Sequence, residues 1–163
     1  MKRTAGDIVR EKDAGIISIH VSASLRDAIK LMAEHKVGAI VARDDSVEEG
    51  QSPYVGVWTE RDLMYQILQK DFDIDQARVQ DHMTPQLSTA DAEEQVYQLY
   101  DKFLGRRVRH LLIQQDGEFI GVLSMGDVIR ASLQQRIQEY KELNEMVSLE
   151  YYENWKARQN ERF

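Results

Sequence analysis

One seven-residue pattern occurs twice in this chain, and a repeat of that kind means two related halves with something between them. Gly56-Val57-Trp58-Thr59-Glu60-Arg61-Asp62 returns 65 residues later as Gly121-Val122-Leu123-Ser124-Met125-Gly126-Asp127. Both copies read G-x-x-[ST]-x-x-D, both follow a short apolar run, and both precede a helix-like stretch. Upstream, apolar positions match at an offset of 71: Leu25 with Val96, Ala28 with Leu99, Met32 with Phe103, Val37 with Val108. At the start of each half the offset is 74, pairing Asp7-Ile8-Val9 with Asp81-His82-Met83. Register is kept inside the apolar segments and lost between them. The first half's extra residues, around Arg10–Gly15 and Asp44–Pro53, therefore read as loop insertions.

Both halves show one element order. In the first, Ile16–Ile19 reads as a strand and Ser24 as the cap of a helix with Leu25, Ala28, Ile29 and Met32 on its apolar face. Val37–Ala42 and Tyr54–Trp58 follow as strands, then a helix from Arg61 with Leu63, Met64, Ile67 and Leu68 on one side. The second half gives Gln86–Thr89, a helix over Glu93–Leu104, then Val108–Gln114 and Phe119–Leu123 joined by an Asp116-Gly117 hairpin turn. The expected class is α/β (α+β), two β-α-β-β-α repeats related by a pseudo-twofold axis. The expected division is 1–73 and 74–132 for the repeats, with a helical extension over 133–163.

This order and these motifs resemble the cystathionine-β-synthase (CBS) domain family, each half looking like one CBS motif and the pair like a Bateman module. The resemblance covers roughly residues 4–132 and rests on Asp81-His82-Met83-Thr84-Pro85, on Arg107-Val108-Arg109-His110-Leu111 and on both G-x-x-[ST]-x-x-D runs. The first half departs from it, lacking Met-Thr after Ile8 and carrying Val37-Gly38-Ala39 where the second half has Val108-Arg109-His110.

The chemistry of the repeated motif can be argued from its residues. Thr59 and Ser124 sit at a strand-to-helix junction, where free N–H groups and the helix dipole favour an anion. Asp62 and Asp127 follow within the first turn, where a carboxylate can accept from both vicinal hydroxyls of a ribose. Gly56 and Gly121 would leave room for a base or sugar. Hydroxyl plus carboxylate at this spacing suits a ribonucleotide, yet the same spacing is also an ordinary capping box that needs no ligand. Arg109 and His110 stand at the start of a strand. Alternation would put Arg107 and Arg109 on one face, from which Arg109 could grip a phosphate bidentately. Gly38-Ala39 offers no such group, so two unlike sites, or one occupied site, are expected.

The resemblance implies an adenosyl ligand between the motifs, AMP, ADP or ATP, with NAD or S-adenosylmethionine as alternatives. It implies Asp on the ribose and Thr or Ser near the phosphate. The candidate binding residues are Gly38, Thr59, Asp62, Arg109, His110, Ser124 and Asp127. The expected role is a free-standing regulatory pair that signals to an unknown partner protein and forms a homodimer. A constitutive oligomerisation module with an empty cleft, or a small nucleotide-dependent enzyme, are the other classes in play.

Composition narrows these choices. The absence of Cys removes disulfides and thiolate chemistry. The four His residues, His20, His35, His82 and His110, show no metal-binding spacing, and Ser124 has no nucleophile context, so neither a metal site nor a catalytic set is expected. A net charge of −7 argues against a nucleic-acid partner. No apolar run suggests a signal peptide or a membrane span, and a cytoplasmic protein is expected. Beyond the repeats, Leu133, Ile137, Tyr140, Val147 and Tyr151 keep an a/d-like spacing with Asn144 at the skipped position. That stripe folds back on the module, packs on a second copy, or serves as a recognition helix for another protein.

Overall fold

The computed structural model describes residues 3–160, with side chains through Leu149 and at Tyr151. The ends of the expected segments, residues 1–2 and 161–163, lie outside the described residues. Two three-stranded sheets form, β1 (Ser18–His20), β2 (Ala39–Arg43) and β3 (Tyr54–Thr59) in one, and β4 (Thr89–Asp91), β5 (His110–Gln115) and β6 (Glu118–Ser124) in the other. In each sheet the first pair is parallel and the second antiparallel. The parallel pairs are bridged by α2 (Leu25–His35) and α5 (Val96–Arg106), whose equal lengths and 71-residue offset preserve the repeat. Their buried stripes match as well, Leu25, Ala28 and Met32 against Leu99 and Phe103. Both helices end on a left-handed residue, Lys36 at φ 54° and Arg107 at φ 52°. The β5–β6 hairpin turns on Asp116 and Gly117 with φ of 51° and 86°, the paired positive values that match the twist of adjoining strands.

The two halves exchange their leading helices. α1 (Ala5–Lys12) starts on a Thr4–Asp7 capping box but buries Ala5, Ile8 and Val9 in the core of the second sheet, beside Leu99, Leu111, Ile113 and Leu123. The short α4 (Val79–His82) does the reverse, placing Val79 among Leu25, Ile40 and Trp58 of the first sheet's core. Backbone bonds tie each crossover down equivalently: Gly6 N–H donates to Ala92 O at 2.8 Å, and Gln80 N–H donates to Val21 O at 2.9 Å. Each core thus contains residues from both halves of the sequence, as units too small to be stable alone require.

Two local expectations are corrected here. Arg10–Lys12 is not loop but the last turn of α1, closed by Asp13 in the left-handed conformation. Gly56 and Gly121 do not make room for a ligand. A Cβ on Gly56 would lie 2.5 Å from Met83 Sδ and 2.9 Å from Thr84 O, and one on Gly121 would lie 2.6 Å from Val9 Cγ1. The glycines admit the exchanged crossovers, one in each sheet.

Met64 and Tyr65 within α3 (Glu60–Gln66), and Ile67 and Leu68 just after it, stay exposed. α6 runs without a break from Met125 to Asn160. It packs on the second sheet through Val128 and Ala131 and then leaves the module. Leu133, Ile137 and Tyr140 are 58%, 56% and 66% exposed, so within one chain the stripe does not fold back. No helix among the described residues is long and apolar enough to cross a membrane.

Candidate functional site

A cleft of about 170 Å³ lies between the halves. One wall is the turn into α3, with Thr59, Glu60, Arg61 and Asp62, backed by Gly38, Val57 and Thr84. The facing wall comes from the second half: Gln86, Ser88, the run Arg107–His110, and Leu112. The cleft therefore brings together Gly38, Thr59, Asp62, Arg109 and His110. It does not include Ser124 or Asp127.

Thr59 and Asp62 form the capping box that their spacing allowed. Asp62 Oδ2 accepts from Thr59 N at 2.9 Å and from Thr59 Oγ1 at 2.7 Å, and Thr59 Oγ1 accepts from Asp62 N at 3.4 Å. No cation pairs with Asp62 among the described residues, and its Oδ1 makes no protein hydrogen bond. The cap fixes the carboxylate and leaves one face of it toward the cleft. Trp58, immediately before, is fully buried and donates from Nε1 to Gln66 Oε1 at 3.0 Å, which anchors α3 to the sheet beneath it. Gln66 in turn donates to His82 O at 3.1 Å, so the same tie reaches the crossover helix α4.

The cations are placed by a turn and not by strand alternation. Arg107 is the left-handed cap of α5 and β5 begins only at His110, so Arg107, Val108, Arg109 and His110 can all border the cleft. That corrects the face assignment expected from a strand starting at Val108. Arg61, Arg107 and Arg109 have no carboxylate partner among the described residues. His110 is largely buried; burial first, then Lys12, push its pKa down to about 4 against the opposing pull of Asp127, with Arg109 and Arg61 adding to the fall. The imidazole is therefore neutral near pH 7 inside a cationic surround. Unpaired guanidiniums beside a neutral imidazole, facing a fixed carboxylate, suit a ligand with an anionic end and a hydroxyl-bearing end.

The second motif repeats the cap but not the opening. Asp127 Oδ2 accepts from Ser124 N at 2.8 Å and from Ser124 Oγ at 2.7 Å. It also accepts from Lys12 Nζ at 2.9 Å, and Arg130 stands 3.8 Å from Oδ1. Burial raises the Asp127 carboxyl, but Lys12 and the Ser124 N–H and hydroxyl outweigh it and hold the pKa below the usual carboxylate value. Among the described residues no cluster of three or more His, Asp or Glu could hold a metal ion. Sequence reasoning missed Arg61, Arg107, Thr84, Gln86 and Ser88 as cleft residues. Arg61 carried a usable signal, since it lies inside the repeated motif.

Two β-α-β-β-α units with exchanged leading helices and a cleft at their junction define a tandem CBS fold, and the chain belongs to the CBS domain family. The CBS domain profile matches residues 5–69 and 79–134. The chain is 30% identical over 148 residues to the CBS domain-containing protein CBSX3, mitochondrial, of Arabidopsis thaliana, covering 86% of this chain and 70% of that protein. Among solved structures it is similar to the CBS-domain containing protein ATU1752 from Agrobacterium tumefaciens, with TM-score 0.73 and 26% identity over 81% of this chain and 95% of that one. It is also similar to CBSX2 in complex with AMP, with TM-score 0.63 and 27% identity over 82% and 98% of the two chains.

Proposed function

We propose that this CBS pair is a regulatory module that takes one adenosine nucleotide in the cleft between its halves and reports its occupancy to another protein. The observation that carries the reading is one cleft that holds the unpaired Asp62 carboxylate with Arg61 beside it and the unpaired cations Arg107 and Arg109 on the facing wall. In this reading Asp62 Oδ1 accepts from the ribose hydroxyls. Thr59 stays in its cap, and Arg109 with His110 faces the phosphate. Gly38 and Thr84 bound the space for the rest of the ligand. The AMP held by the similar CBSX2 supports adenine as the base. In this reading the module regulates another protein and does not turn the nucleotide over. The uncovered apolar residues of α3 and α6 favour a homodimer.

A thermal-shift series tests the reading. A ligand that binds only the folded state stabilises it by RT ln(1 + [L]/Kd), about 2.7 kcal/mol at 100-fold excess. AMP or ATP should raise the melting temperature and inorganic phosphate alone should not. A flat response to all adenosyl ligands would leave the module as an empty scaffold, and loss of the nucleotide during incubation would make it an enzyme.

A further inference from the structure

The pseudo-symmetry that relates the two motifs breaks where each exchanged helix ends. In the first sheet the strand end at Val57 is bridged by the chain after α4: Val57 N–H donates to Thr84 O at 2.9 Å and Thr84 N–H donates to Val57 O at 2.8 Å. Pro85 follows, the helix has already stopped at His82, and the space beside Asp62 stays open. In the second sheet the equivalent helix, α1, continues to Lys12. The Lys12 ammonium donates to Val122 O at 3.1 Å, the acceptor equivalent to Val57 O, and to Asp127 Oδ2 at 2.9 Å. The pair is largely shielded, with side-chain exposures of 29% and 14%. At Asp127 the cap oxygen Oδ2 also carries Lys12, and Oδ1 stands 3.8 Å from Arg130, so the carboxylate already has cations of the chain beside it, whereas Asp62 has none among the described residues.

We propose that Lys12 is the residue that restricts each chain to one nucleotide, by standing on Asp127 as an internal occupant of the second motif. The inference rests on the nucleotide reading of the first cleft and adds the determinant of stoichiometry. A second feature acts in the same direction. Gly38 and Ala39 stand in the first half where the second half has Arg109 and His110, so the first half offers the second motif neither a cation nor an imidazole at those positions, although His110 itself pairs with Ser124. With Lys12 removed, the second motif should take the nucleoside part of a ligand better than its phosphate.

Isothermal titration calorimetry of the full chain with AMP and with adenosine decides this. The wild-type chain should saturate at one AMP. Lys12→Ala, and Lys12→Met, which keeps the aliphatic stem, should saturate at two adenosines. Lys12→Ala combined with Asp127→Ala should return to one, and AMP affinity at the first cleft should change less than threefold throughout. Two ligands per wild-type chain, or one per chain in both folded Lys12 variants, would overturn the proposal while leaving the first cleft intact. If the wild type binds neither ligand, the nucleotide reading of the first cleft fails by itself. Adenosine binding gained only on removing Lys12 would then still support the internal occupant, and none gained would overturn it.

Discussion

Replacing Asp62 by Asn separates its role in the helix cap from its role toward a ligand. In the cap, Asp62 Oδ2 serves the Thr59 N–H and hydroxyl, and an amide oxygen can do the same. The structural cost is then the lost negative charge at the start of α3, worth about 0.3–1 kcal/mol. For a protein of this size that is a fall of roughly 1–4 °C in melting temperature. Toward the cleft the exchange is harsher. The unpartnered carboxylate oxygen becomes an amide, and a ribose hydroxyl loses a charged acceptor. A hydrogen bond to a charged group contributes about 1.5–3 kcal/mol, which is a loss of roughly 10- to 150-fold in Kd. Asp127→Asn should behave in the opposite way. It breaks the shielded Lys12 pair and so costs more stability, but it leaves AMP affinity within about twofold. Calorimetry with AMP and a urea melt on each variant gives both quantities. An Asp62→Asn protein with wild-type AMP affinity, or an Asp127→Asn protein with the larger loss, would refute the placement of the ligand at the first motif.

Arg109→Ala should weaken AMP much more than adenosine in the same titration; equal losses would mean that Arg109 does not meet the phosphate. Gly56→Ala should cost about 1–3 kcal/mol in a denaturant melt, because the added methyl meets Met83 Sδ and the Thr84 carbonyl, and Thr84 cannot retreat without breaking its bridge to Val57. A neutral substitution would show that the crossover is not tightly seated. His110 ionises near 6.5 in the unfolded chain but only at about 4 when folded, because of burial and then Lys12. Its contribution is therefore complete above pH 6.5 and is lost as pH falls toward 4, with a ceiling on the order of 3 kcal/mol. His110→Asn should flatten the stability difference between pH 7.5 and pH 5, and an unchanged slope would reject the buried neutral imidazole. Removing residues after Arg136 takes away most of the exposed α6 stripe and should lower the mass seen by light scattering; an unchanged assembly would deny the stripe a role in it.

What could be read in the sequence was what repeats. Apolar periodicity located α2 and α5 because Leu25, Ala28 and Met32, like Leu99 and Phe103, face a core. Asp116-Gly117 located a hairpin because both residues must adopt positive φ. The misreadings share one cause, which is that a linear offset assigns each segment to its own half. The exchange of α1 and α4 breaks that assignment. Gly56 and Gly121 then serve a crossover from elsewhere in the chain, and Arg109 faces Asp62 instead of the Asp127 that follows it in sequence. The stretch Arg10–Gly15 looked like a polar insertion because its register partner was lost. Its polarity has another origin: the final turn of α1 has left the core that holds Ile8 and Val9 and carries Lys12 to a carboxylate. Duplication alone would make two equal sites. The longer α1 in one half and the Thr84-Pro85 stop in the other make them unequal, using residues outside the repeated motif. Fold is therefore legible from the repeat, whereas the proposed single occupancy rests on the residues in which the two copies differ.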